Sequence, residues 1–379
     1  LVWLDNLKLR VGYGKTGNSA VSPYQTKGQL ALRHYVFNNG SSEYIGYAPS
    51  VMANDQLTWE TTDQWNVGVD FGFLKNRING TVEFYLQNTK DLLLKRQLPV
   101  VSGFSSVMSN VGSTRNKGIE ITLNTRNIMN RNFTWSTDLT FSANKEEIVE
   151  LYNGKTDDVG NLWFIGQPID VYYNYKKIGI WQNTENDLAE MAKFNEKGAN
   201  FKPGSIRLED VDGDYKITEE DKQILGSVRP KFVASMVNNF EFKGFDLSVF
   251  LYASVGGLLR NNIEFMEKPG RGNTVKVDYW TSTNPTNAFP RPSVDVEKLD
   301  YISTLGYDKA DFLRIRNITL GYTLPEMWSK KVLMDKIRIY LSANNPAIFT
   351  NFTGIDPEGA NGRTAPSYST WMFGINLSM

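Results

Sequence analysis

The sequence predicts an all-β protein, a transmembrane antiparallel β-barrel with long extracellular loops. Three observations support it: apolar residues alternate with polar ones, the polar residues are of a kind that lines water, and short links alternate with long ones. The alternation is clearest at the C-terminus, where apolar residues occupy every second position, at Trp371, Phe373, Ile375, Leu377 and Met379. A strand with this period of two presents one face to an apolar medium and the other to a polar one.

The residues between the apolar positions indicate the nature of the polar medium. In the segment 65–73 they are small, amidic or charged, as expected beside a watery lumen. The side chains expected to face lipid are Val67, Val69, Phe71, Ile119, Ile121 and Leu123, and those expected to face the lumen are Asp70, Glu120 and Asp138. A soluble sandwich or propeller is the alternative, because its strands alternate too. Segments of roughly 9 to 11 residues favour the barrel, since soluble strands average about 5 to 6.

The strand candidates follow one another along the chain. The first is 7–13, and three hairpins with short links come later, formed by segments 63–73 with 77–88, 118–126 with 133–143, and 231–242 with 245–254. About ten to eleven strand candidates are present in total. A sheet of that number with a polar interior would leave an open edge. We therefore expect residues 1–379 to form an incomplete part of a larger barrel.

Long connections separate these strands on the other side of the sheet. The stretches are 14–57, 90–117, 144–230 and 255–310, all rich in Gly, Pro, Asn and charge. In a large barrel such stretches form the external, ligand-facing part. One of them contains a helix-like segment, 186–194, with Leu188, Met191 and Ala192 on one face and an Asn or Asp available as the N-cap.

Composition excludes several classes of function. The chain has 41 basic and 41 acidic residues and a formal net charge of +0, which gives no reason to expect a nucleic-acid partner. There is no cysteine, so disulfides and thiolate chemistry are excluded. The sequence contains no apolar run long enough for a transmembrane helix. The single histidine, His34, lies in a polar stretch and is read as a surface or lumen side chain.

The sharpest local motif is the acidic stretch 210–221. Its oxygen ligands have the spacing of an EF-hand-type calcium loop, with Asp210, Asp212, Asp214 and Asp221 at positions 1, 3, 5 and 12, Thr218 at position 9 and the carbonyl of Lys216 at position 7. We therefore expect Ca²⁺ to bind here. Tyr215 stands at position 6, where the loop prefers Gly, and position 12 is Asp rather than Glu. A solvated acidic turn is the alternative interpretation.

Aromatic residues in the long connections are candidates for ligand contact. They are Trp163, Tyr172, Tyr173, Tyr175, Trp181 and Trp280, with Phe164 and Tyr279 beside them. A flat apolar face with a polar tip can stack on a sugar ring or pack on a peptide. The alternative for any one of them is packing within a loop or against a partner protein.

No motif for catalysis is present in the sequence. It contains no Gly-x-Ser-x-Gly elbow, His-Glu-x-x-His pair or phosphate-binding loop. Paired carboxylates such as Glu146 and Glu147 are adjacent in the chain, so extended geometry points them apart. We therefore expect a protein that is not an enzyme.

Several longer stretches resemble one family. They are 14–18 (GKTGN), 59–62 (WETT), 65–70 (WNVGVD), 110–120 (NVGSTRNKGIE), 279–285 (YWTSTNP), 289–291 (FPR), 312–325 (FLRIRNITLGYTLP) and 354–358 (GIDPE). In this order they resemble the C-terminal part of the SusC/RagA-type TonB-dependent outer-membrane transporters of the Bacteroidetes. Two departures stand out: members often end in an aromatic residue rather than Met379, and commonly carry Gly where Tyr215 stands.

The resemblance implies a barrel of about twenty-two strands around an N-terminal plug, in the outer membrane of a Gram-negative cell and in contact with its lipid. It also implies a SusD-like surface lipoprotein as a lid, and the TonB–ExbB–ExbD complex as the source of energy. The implied function is import of an oligomeric nutrient, a glycan or a peptide. The plug and the N-terminal half of the barrel are not among these 379 residues, so we expect no transport by this portion alone. A non-transporting receptor or adhesin barrel is the alternative function.

Overall fold

A computed structural model describes residues 3–19, 22–24, 26–40, 42–104, 106–261, 277–292, 300–359 and 367–379. In chain order its strands are β1 (Leu4–Asn18), β2 (Gln29–Phe37), β3 (Ser42–Val51), β4 (Glu60–Phe73), β5 (Ile78–Lys90), β6 (Leu93–Gln97), β7 (Ser106–Asn110), β8 (Ser113–Met129), β9 (Phe133–Glu150), β10 (Val171–Tyr175), β11 (Lys177–Ile180), β12 (Ile206–Leu208), β13 (Lys222–Ser227), β14 (Phe232–Phe242), β15 (Phe245–Val255), β16 (Leu258–Arg260), β17 (Tyr307–Lys309), β18 (Phe312–Thr323), β19 (Lys336–Thr350) and β20 (Thr370–Ser378). The helices are α1 (Glu185–Glu196) and α2 (Glu326–Ser329). Short 3₁₀ turns lie at Asn38–Gly40, Val100–Ser102, Val159–Asn161, Glu219–Asp221, Ile302–Thr304 and Lys330–Val332.

Ten of these strands form one large antiparallel sheet within the described part of the chain. Their order is β1-β4-β5-β8-β9-β14-β15-β18-β19-β20, so each strand pairs with the sheet strand that precedes or follows it in the sequence. The remaining strands pair two by two in the connections, as β2-β3, β6-β7, β10-β13, β11-β12 and β16-β17. The predicted sheet of about ten to eleven antiparallel strands is therefore confirmed.

The links between sheet strands are short at one end of the strands, the short-link edge, and long at the other end, the long-connection edge. The short links are 74–77, 130–132, 243–244 and 324–335, and the long ones are 19–59, 91–112, 151–231, 256–311 and 351–369. In the two-residue link, Lys243 and Gly244 both have positive φ, 47° and 88°. This backbone conformation matches the right-handed twist of the flanking strands. All three predicted hairpins are present.

The cross-strand register gives the sheet one apolar face. Leu9 pairs with Val69, Val69 with Val82, Val82 with Ile121, and Ile121 with Phe141. The exposed fraction of Leu9 is 67%, although it sits in the middle of a strand. Exposed aliphatic side chains along a strand are expected where the surrounding medium is lipid. Val67, Val69, Phe71, Ile119, Ile121 and Leu123 all lie on this face, as predicted.

The opposite face is polar and carries an ion-pair network. Arg10 donates two hydrogen bonds to Asp70, of 3.0 and 2.9 Å, and its guanidinium also lies 2.5 Å from the carboxylate of Glu83. Gly68 lies between them in the register, and a side chain there would come within 2.9 Å of the guanidinium. Glu83 pairs in turn with Glu120 on β8. Asp70, Glu120 and Asp138 share this face, as the alternation predicts.

Aromatic rings pair near the ends of several sheet strands. The ring centroids of Tyr13 and Trp65 are 4.8 Å apart, close to the long-connection edge. Near the short-link edge, the rings of Phe245 and Tyr322 are 4.5 Å apart. Aromatic residues at both ends of the apolar face are the pattern that membrane interfaces favour.

Two details of the sequence prediction are corrected. The sheet strands are longer than predicted, because β1 continues to Asn18 and β9 continues to Glu150. The long connections also contain paired strands of their own. The helix α1 is capped by the Thr184 hydroxyl, which accepts a hydrogen bond from the amide of Asp187, rather than by Asn or Asp. Its buried residues are Met191 and Phe194, whereas Leu188 is exposed, so the predicted apolar face was shifted.

The described chain divides into two compact units. The first comprises Leu1–Ile169, Ala234–Ser248 and Gly321–Lys336, and the second comprises Asp170–Val233, Val249–Leu320 and Ile337–Met379. Among the described residues, no helix is long and apolar enough to cross a bilayer.

Candidate functional site

The long connections of the second unit fold around two apolar cores. The first core contains Ile180, Ile206, Leu208, Trp280 and Leu305. The second contains Trp181, Met191, Phe194 and Phe201. Ile180 ends β11 and Trp181 follows it, and adjacent residues of an extended chain point to opposite sides. One short segment therefore supplies a side chain to each core and holds the two together.

Two of the predicted ligand aromatics belong to these cores. Trp181 is 1% exposed and Trp280 is 8% exposed, so neither ring presents a face to a ligand. The ring of Trp181 is covered by the guanidinium of Arg207, 4.4 Å from the ring centroid, and the Nε1 of Trp280 donates to Gln182 at 2.7 Å. In this structure Trp181 and Trp280 are therefore core residues, unlike the exposed ligand contacts that the sequence predicts. The packing of the connections around large apolar side chains is the physical reason.

The three predicted tyrosines are half-buried and contact other side chains. Tyr172 packs edge-on against Tyr307, with 5.2 Å between ring centroids, and its hydroxyl accepts a hydrogen bond from the amide of Arg260. The hydroxyl of Tyr175 donates to Glu219. Burial, followed by the charge of Glu219, raises the pKa of Tyr175 and keeps its hydroxyl protonated. Tyr173 pairs with Ile224 in the β10–β13 ladder.

Trp163 lies in the first unit and is half-buried. Its backbone exchanges two hydrogen bonds with Asp158, of 2.8 and 3.0 Å, which close a tight loop. The neighbouring Phe164 is 6% exposed and packs inside the first unit. Trp163 therefore belongs to a different unit from the other five predicted aromatics.

A cleft of about 540 Å³ opens between β11, β13, β16 and β17 of the second unit. This volume is within the range of small-molecule sites in proteins. Its walls combine aliphatic side chains of Ile224, Leu225 and Leu258 with the charged groups of Lys177 and Asp308. None of the six predicted aromatics is among the described residues that line it. No local sequence pattern indicates this cleft, because its walls come from segments far apart in the chain.

Lys177 is the most constrained charged group in the cleft. Its Nζ donates to the backbone carbonyls of Asn287 at 2.9 Å and Ala288 at 2.5 Å. Burial lowers the pKa of Lys177, and the charge of Asp308 partly opposes that shift. The Oδ2 of Asp308 accepts a hydrogen bond from the hydroxyl of Thr353. Lys176 also lines the cleft, but its Nζ lies 3.0 Å from the carboxylate of Glu209. Lys177 and Asp308 thus remain as a cation and an anion that are both partly accessible.

The acidic stretch 210–221 forms a compact loop in the second unit. One carboxylate oxygen from each of Asp210, Asp212 and Asp214 lies within 4.8 Å of the other two. The hydrogen bond from the Asp214 amide lowers the pKa of Asp212, but lost solvation and the charges of Asp214, Asp221 and Asp210 outweigh it and raise that pKa above its usual value. A hard divalent cation stabilises clustered carboxylates of this kind, because it neutralises the repulsion among them.

The loop backbone fits part of the EF-hand prediction. Tyr215, at position 6, has φ of 62°, the left-handed conformation that this position requires and that Gly adopts more easily. Asp221 behaves differently from a ligand at position 12. It is 1% exposed, and its two oxygens accept hydrogen bonds from the amides of Val211 and Thr218 at 2.8 and 2.7 Å. Asp221 therefore links two parts of the loop through their backbone amides. The Thr218 hydroxyl in turn accepts a hydrogen bond from the amide of Glu220.

A second charged cluster was not predicted from the sequence. Arg314, on β18, is 2% exposed, and its guanidinium donates to Asp356 and to the Ser367 hydroxyl, both at 2.7 Å. Its Nε lies 2.9 Å from the carboxylate of Glu358, an ion-pair distance without hydrogen-bond geometry. Arg316 pairs with the same Glu358. Two stretches that carry the family resemblance, 312–325 and 354–358, thus contact each other directly.

Comparison with known proteins agrees with this architecture. The profile of the family described as "TonB dependent receptor-like, beta-barrel" matches residues 1–346. The chain is 32% identical over 402 residues to TonB-dependent receptor P3 of Formosa agariphila, covering 98% of this chain and 39% of that relative. It is 31% identical over 396 residues to TonB-dependent receptor SusC of Bacteroides thetaiotaomicron, covering 99% of this chain and 38% of that relative.

Among solved structures, the chain is similar to the RagAB peptide transporter. The TM-score is 0.77 at 25% identity, and the match covers 99% of this chain and 41% of that one. The chain therefore spans about two fifths of the length of the proteins it matches.

Proposed function

Because the chain belongs to the TonB-dependent receptor-like β-barrel family, we propose that it forms the C-terminal part of the barrel of an outer-membrane importer. The imported compound is an oligomeric nutrient, a glycan or a peptide, and the TonB–ExbB–ExbD complex supplies the energy. The observation that carries the proposal is the two-faced sheet. Its row of paired aliphatic residues suits lipid, and its polar face suits a wet lumen.

The names of the similar proteins support a transport function over an enzymatic one. The RagAB structures are described as those of a peptide transporter and a peptide importer, and the curated relatives are named TonB-dependent receptors. The family places the chain in the cell outer membrane.

We further propose that a SusD-like lipoprotein covers the long-connection edge. Support comes from the hairpin β2–β3 in the connection 19–59, where large apolar side chains are exposed. They are Leu30, Leu32, Val36, Phe37, Tyr44, Ile45 and Tyr47, each at least 55% exposed. Apolar surface of this extent on a solvent-exposed hairpin is typical of a contact with another protein. The connections 144–230 and 255–310 would add to the same contact.

The experiment that tests transport uses the full-length gene in its native host. A deletion strain is grown on a single oligosaccharide or on a peptide mixture as the limiting nutrient, with and without a copy that lacks the TonB-contacting segment. We expect growth to require the intact gene, and the truncated copy to fail. Ligand binding to cells without any TonB-dependent uptake would support a non-transporting receptor or adhesin instead. Co-purification from mild detergent tests the lipoprotein, and recovery of the barrel alone would contradict it.

The acidic loop is proposed to hold a calcium-like cation. Asp210, Asp212 and Asp214 would supply carboxylate oxygens and Lys216 its carbonyl, because these groups have the required chemistry and spacing. Asp221 and Thr218, counted among the ligands from the sequence, would instead shape the loop through backbone amides. A bound cation would neutralise the repulsion among the three aspartates and order the loop before β13.

A further inference from the structure

The cleft between β11, β13, β16 and β17 has a distribution of groups that selects a class of ligand. Aliphatic side chains of Ile224, Leu225, Leu258 and Leu305 line it, and Lys177 and Asp308 add opposite charges to its walls. A site of this size with an apolar lining and a few fixed polar groups is the usual form of a small-ligand pocket. All of its lining residues belong to the second unit, so the cleft is formed within one compact body.

Three charged residues line the cleft. Lys176 is paired with Glu209 at 3.0 Å, whereas Lys177 and Asp308 each have hydrogen-bonding capacity left for a ligand. An ammonium group has three N–H donors, and two of those on Lys177 bind the carbonyls of Asn287 and Ala288. These two bonds hold the ammonium in place and leave one donor. On Asp308, Oδ2 accepts from Thr353, while Oδ1 receives no hydrogen bond from any residue that the structure describes. A carboxylate can accept several further bonds.

Two aromatic rings line the cleft, Tyr307 and Phe289, and both already pack against other groups. Tyr307 is contacted by the ring of Tyr172 at 5.2 Å and by the guanidinium of Arg260 at 5.8 Å from the ring centroid. Phe289 packs against the first apolar core. Ile224, Leu225 and Leu258 are half-buried and aliphatic, and such side chains suit an aliphatic side chain of a ligand better than the polar groups of a pyranose.

We propose that this cleft binds a short zwitterionic peptide with an aliphatic side chain, whose carboxylate meets Lys177 and whose ammonium group meets Asp308. This inference rests on the proposed import function and adds a site and a chemical class to it. Hydrogen bonds to charged groups are stronger than neutral ones, so both ends of the ligand contribute to its selection. The apolar lining contributes by removing the side chain from water.

The test uses the full-length transporter purified in detergent and three probes measured by calorimetry. The probes are the dipeptide Leu-Leu, its N-acetylated and C-amidated form, and maltotriose. We expect Leu-Leu to bind, and the blocked dipeptide and maltotriose to bind at least tenfold more weakly. Lys177→Met and Asp308→Asn should each weaken Leu-Leu binding by about tenfold or more, as expected for one charged hydrogen bond. Lys202→Met is the matched control, because this exposed lysine is in the same unit and does not line the cleft.

Three results would overturn the proposal. The first is no binding of Leu-Leu to wild type at up to roughly 10 mM, the weak limit for such a small ligand. The others are binding of the blocked dipeptide as tight as that of Leu-Leu, or a loss of affinity in Lys202→Met equal to that in Lys177→Met. Far-ultraviolet circular dichroism and thermal unfolding of each variant separate loss of the site from loss of the fold. The growth assay of the deletion strain reports on import independently. Normal TonB-dependent growth with no dipeptide binding would remove this site and leave the import function standing.

Discussion

Arg314 on β18 donates a hydrogen bond of 2.7 Å to Asp356, although 42 residues separate them in the sequence. Both side chains are nearly inaccessible, with 2% and 9% exposed. The same guanidinium binds Ser367, so one side chain of the sheet holds residues on both sides of the segment 360–366. A buried ion pair with this many partners fixes geometry more than it adds stability, because desolvation offsets most of the attraction.

Removing the cation should therefore be costly. Arg314→Met leaves Asp356 and Glu358 without their partner, and we expect a loss of about 3 to 5 kcal/mol in the free energy of unfolding. Lys330→Met is the control, since Lys330 and Glu326 form an exposed i,i+4 pair 3.3 Å apart that is worth about 0.3 to 0.5 kcal/mol. Urea unfolding of the full-length protein in detergent measures both. Similar small losses in the two variants would contradict this assignment.

The same pair predicts a dependence on pH. Burial opposes the charge of Asp356, but hydrogen bonds from the Glu358 amide, Ser367 and Arg314 outweigh it and hold the pKa of Asp356 below its usual value. A carboxyl whose pKa is lowered by folding stabilises the fold above its unfolded pKa of about 3.9, and loses that contribution as the pH falls through the lowered value. Wild type should therefore lose stability below about pH 4, and Arg314→Met should show a flatter curve there. Parallel curves for the two proteins would argue against it.

The two faces of the sheet should respond differently to charge. Val69→Arg places a cation on the apolar face and should cost about 2 to 4 kcal/mol if that position lies near the bilayer midplane. Asp138→Asn is the matched change on the polar face, because Asp138 is exposed and pairs with Asn124. Asp70→Asn is a poorer control, since Asp70 holds Arg10 and Thr81. Unfolding in lipid vesicles measures both changes. Equal losses in the free energy of unfolding of the two variants would favour the soluble sandwich instead.

Glycines on the polar face offer a test of close packing. An alanine at Gly118 would place its Cβ 2.5 Å from the hydroxyl of Tyr85 and 2.7 Å from the carbonyl of Ala143. Because the carbonyl is backbone and cannot move freely, Gly118→Ala should destabilise the sheet by about 1 to 3 kcal/mol. At Gly12 a Cβ meets nothing within 4 Å, so Gly12→Ala should be neutral or stabilise by about 0.4 to 1 kcal/mol. Heat-modified migration on denaturing gels ranks the variants, and the reverse order would refute the packing.

Calcium binding to the acidic loop should be weak and sensitive to acid. We expect a dissociation constant of about 10⁻⁴ to 10⁻³ M, because Tyr215 occupies the position of Gly and Asp221 is engaged with amides. Asp212→Asn should weaken binding, whereas Glu220→Gln, an exposed change in the same loop, should not. Since the pKa of Asp212 is raised, protons compete with the cation as the pH falls, and affinity should drop. Terbium luminescence titrations at several pH values measure this, and identical titrations of the two variants would contradict the site.

The large sheet was predictable because the sequence pattern of each strand and hairpin is local. Each strand alternates on its own, and each short link joins two strands that are neighbours in the sequence, so hairpins such as β14–β15 follow from a few residues around Lys243. The resemblance to the family predicted the same antiparallel sheet of a TonB-dependent receptor-like β-barrel, which the family profile matches over residues 1–346. Strand ends were less certain, because nothing in the pattern of β9 marks where the apolar medium stops and the strand continues to Glu150.

The connections were less predictable because their structure depends on distant contacts. The sequence around Trp181 and Trp280 does not distinguish them from exposed aromatic residues. Only the packing of several segments around them shows that they are buried. The ion pair between Arg314 and Asp356 joins a sheet strand to a connection, and no local pattern in either segment indicates that the two side chains meet. Tyr215 is the opposite case. The spacing of the acidic loop places it where an EF-hand prefers Gly, and its φ of 62° is the left-handed conformation that Gly adopts easily.

The placement of every long link at one edge bears on how such a protein can diversify. A longer link between two sheet strands leaves the ladder untouched, and each doubling of its length costs only about 0.6 kcal/mol of closure entropy. Natural selection can therefore lengthen, shorten or replace 151–231 and 256–311 while β8, β9 and β14 keep their register. Paralogues in one genome can in this way share a nearly constant sheet and differ in the long connections.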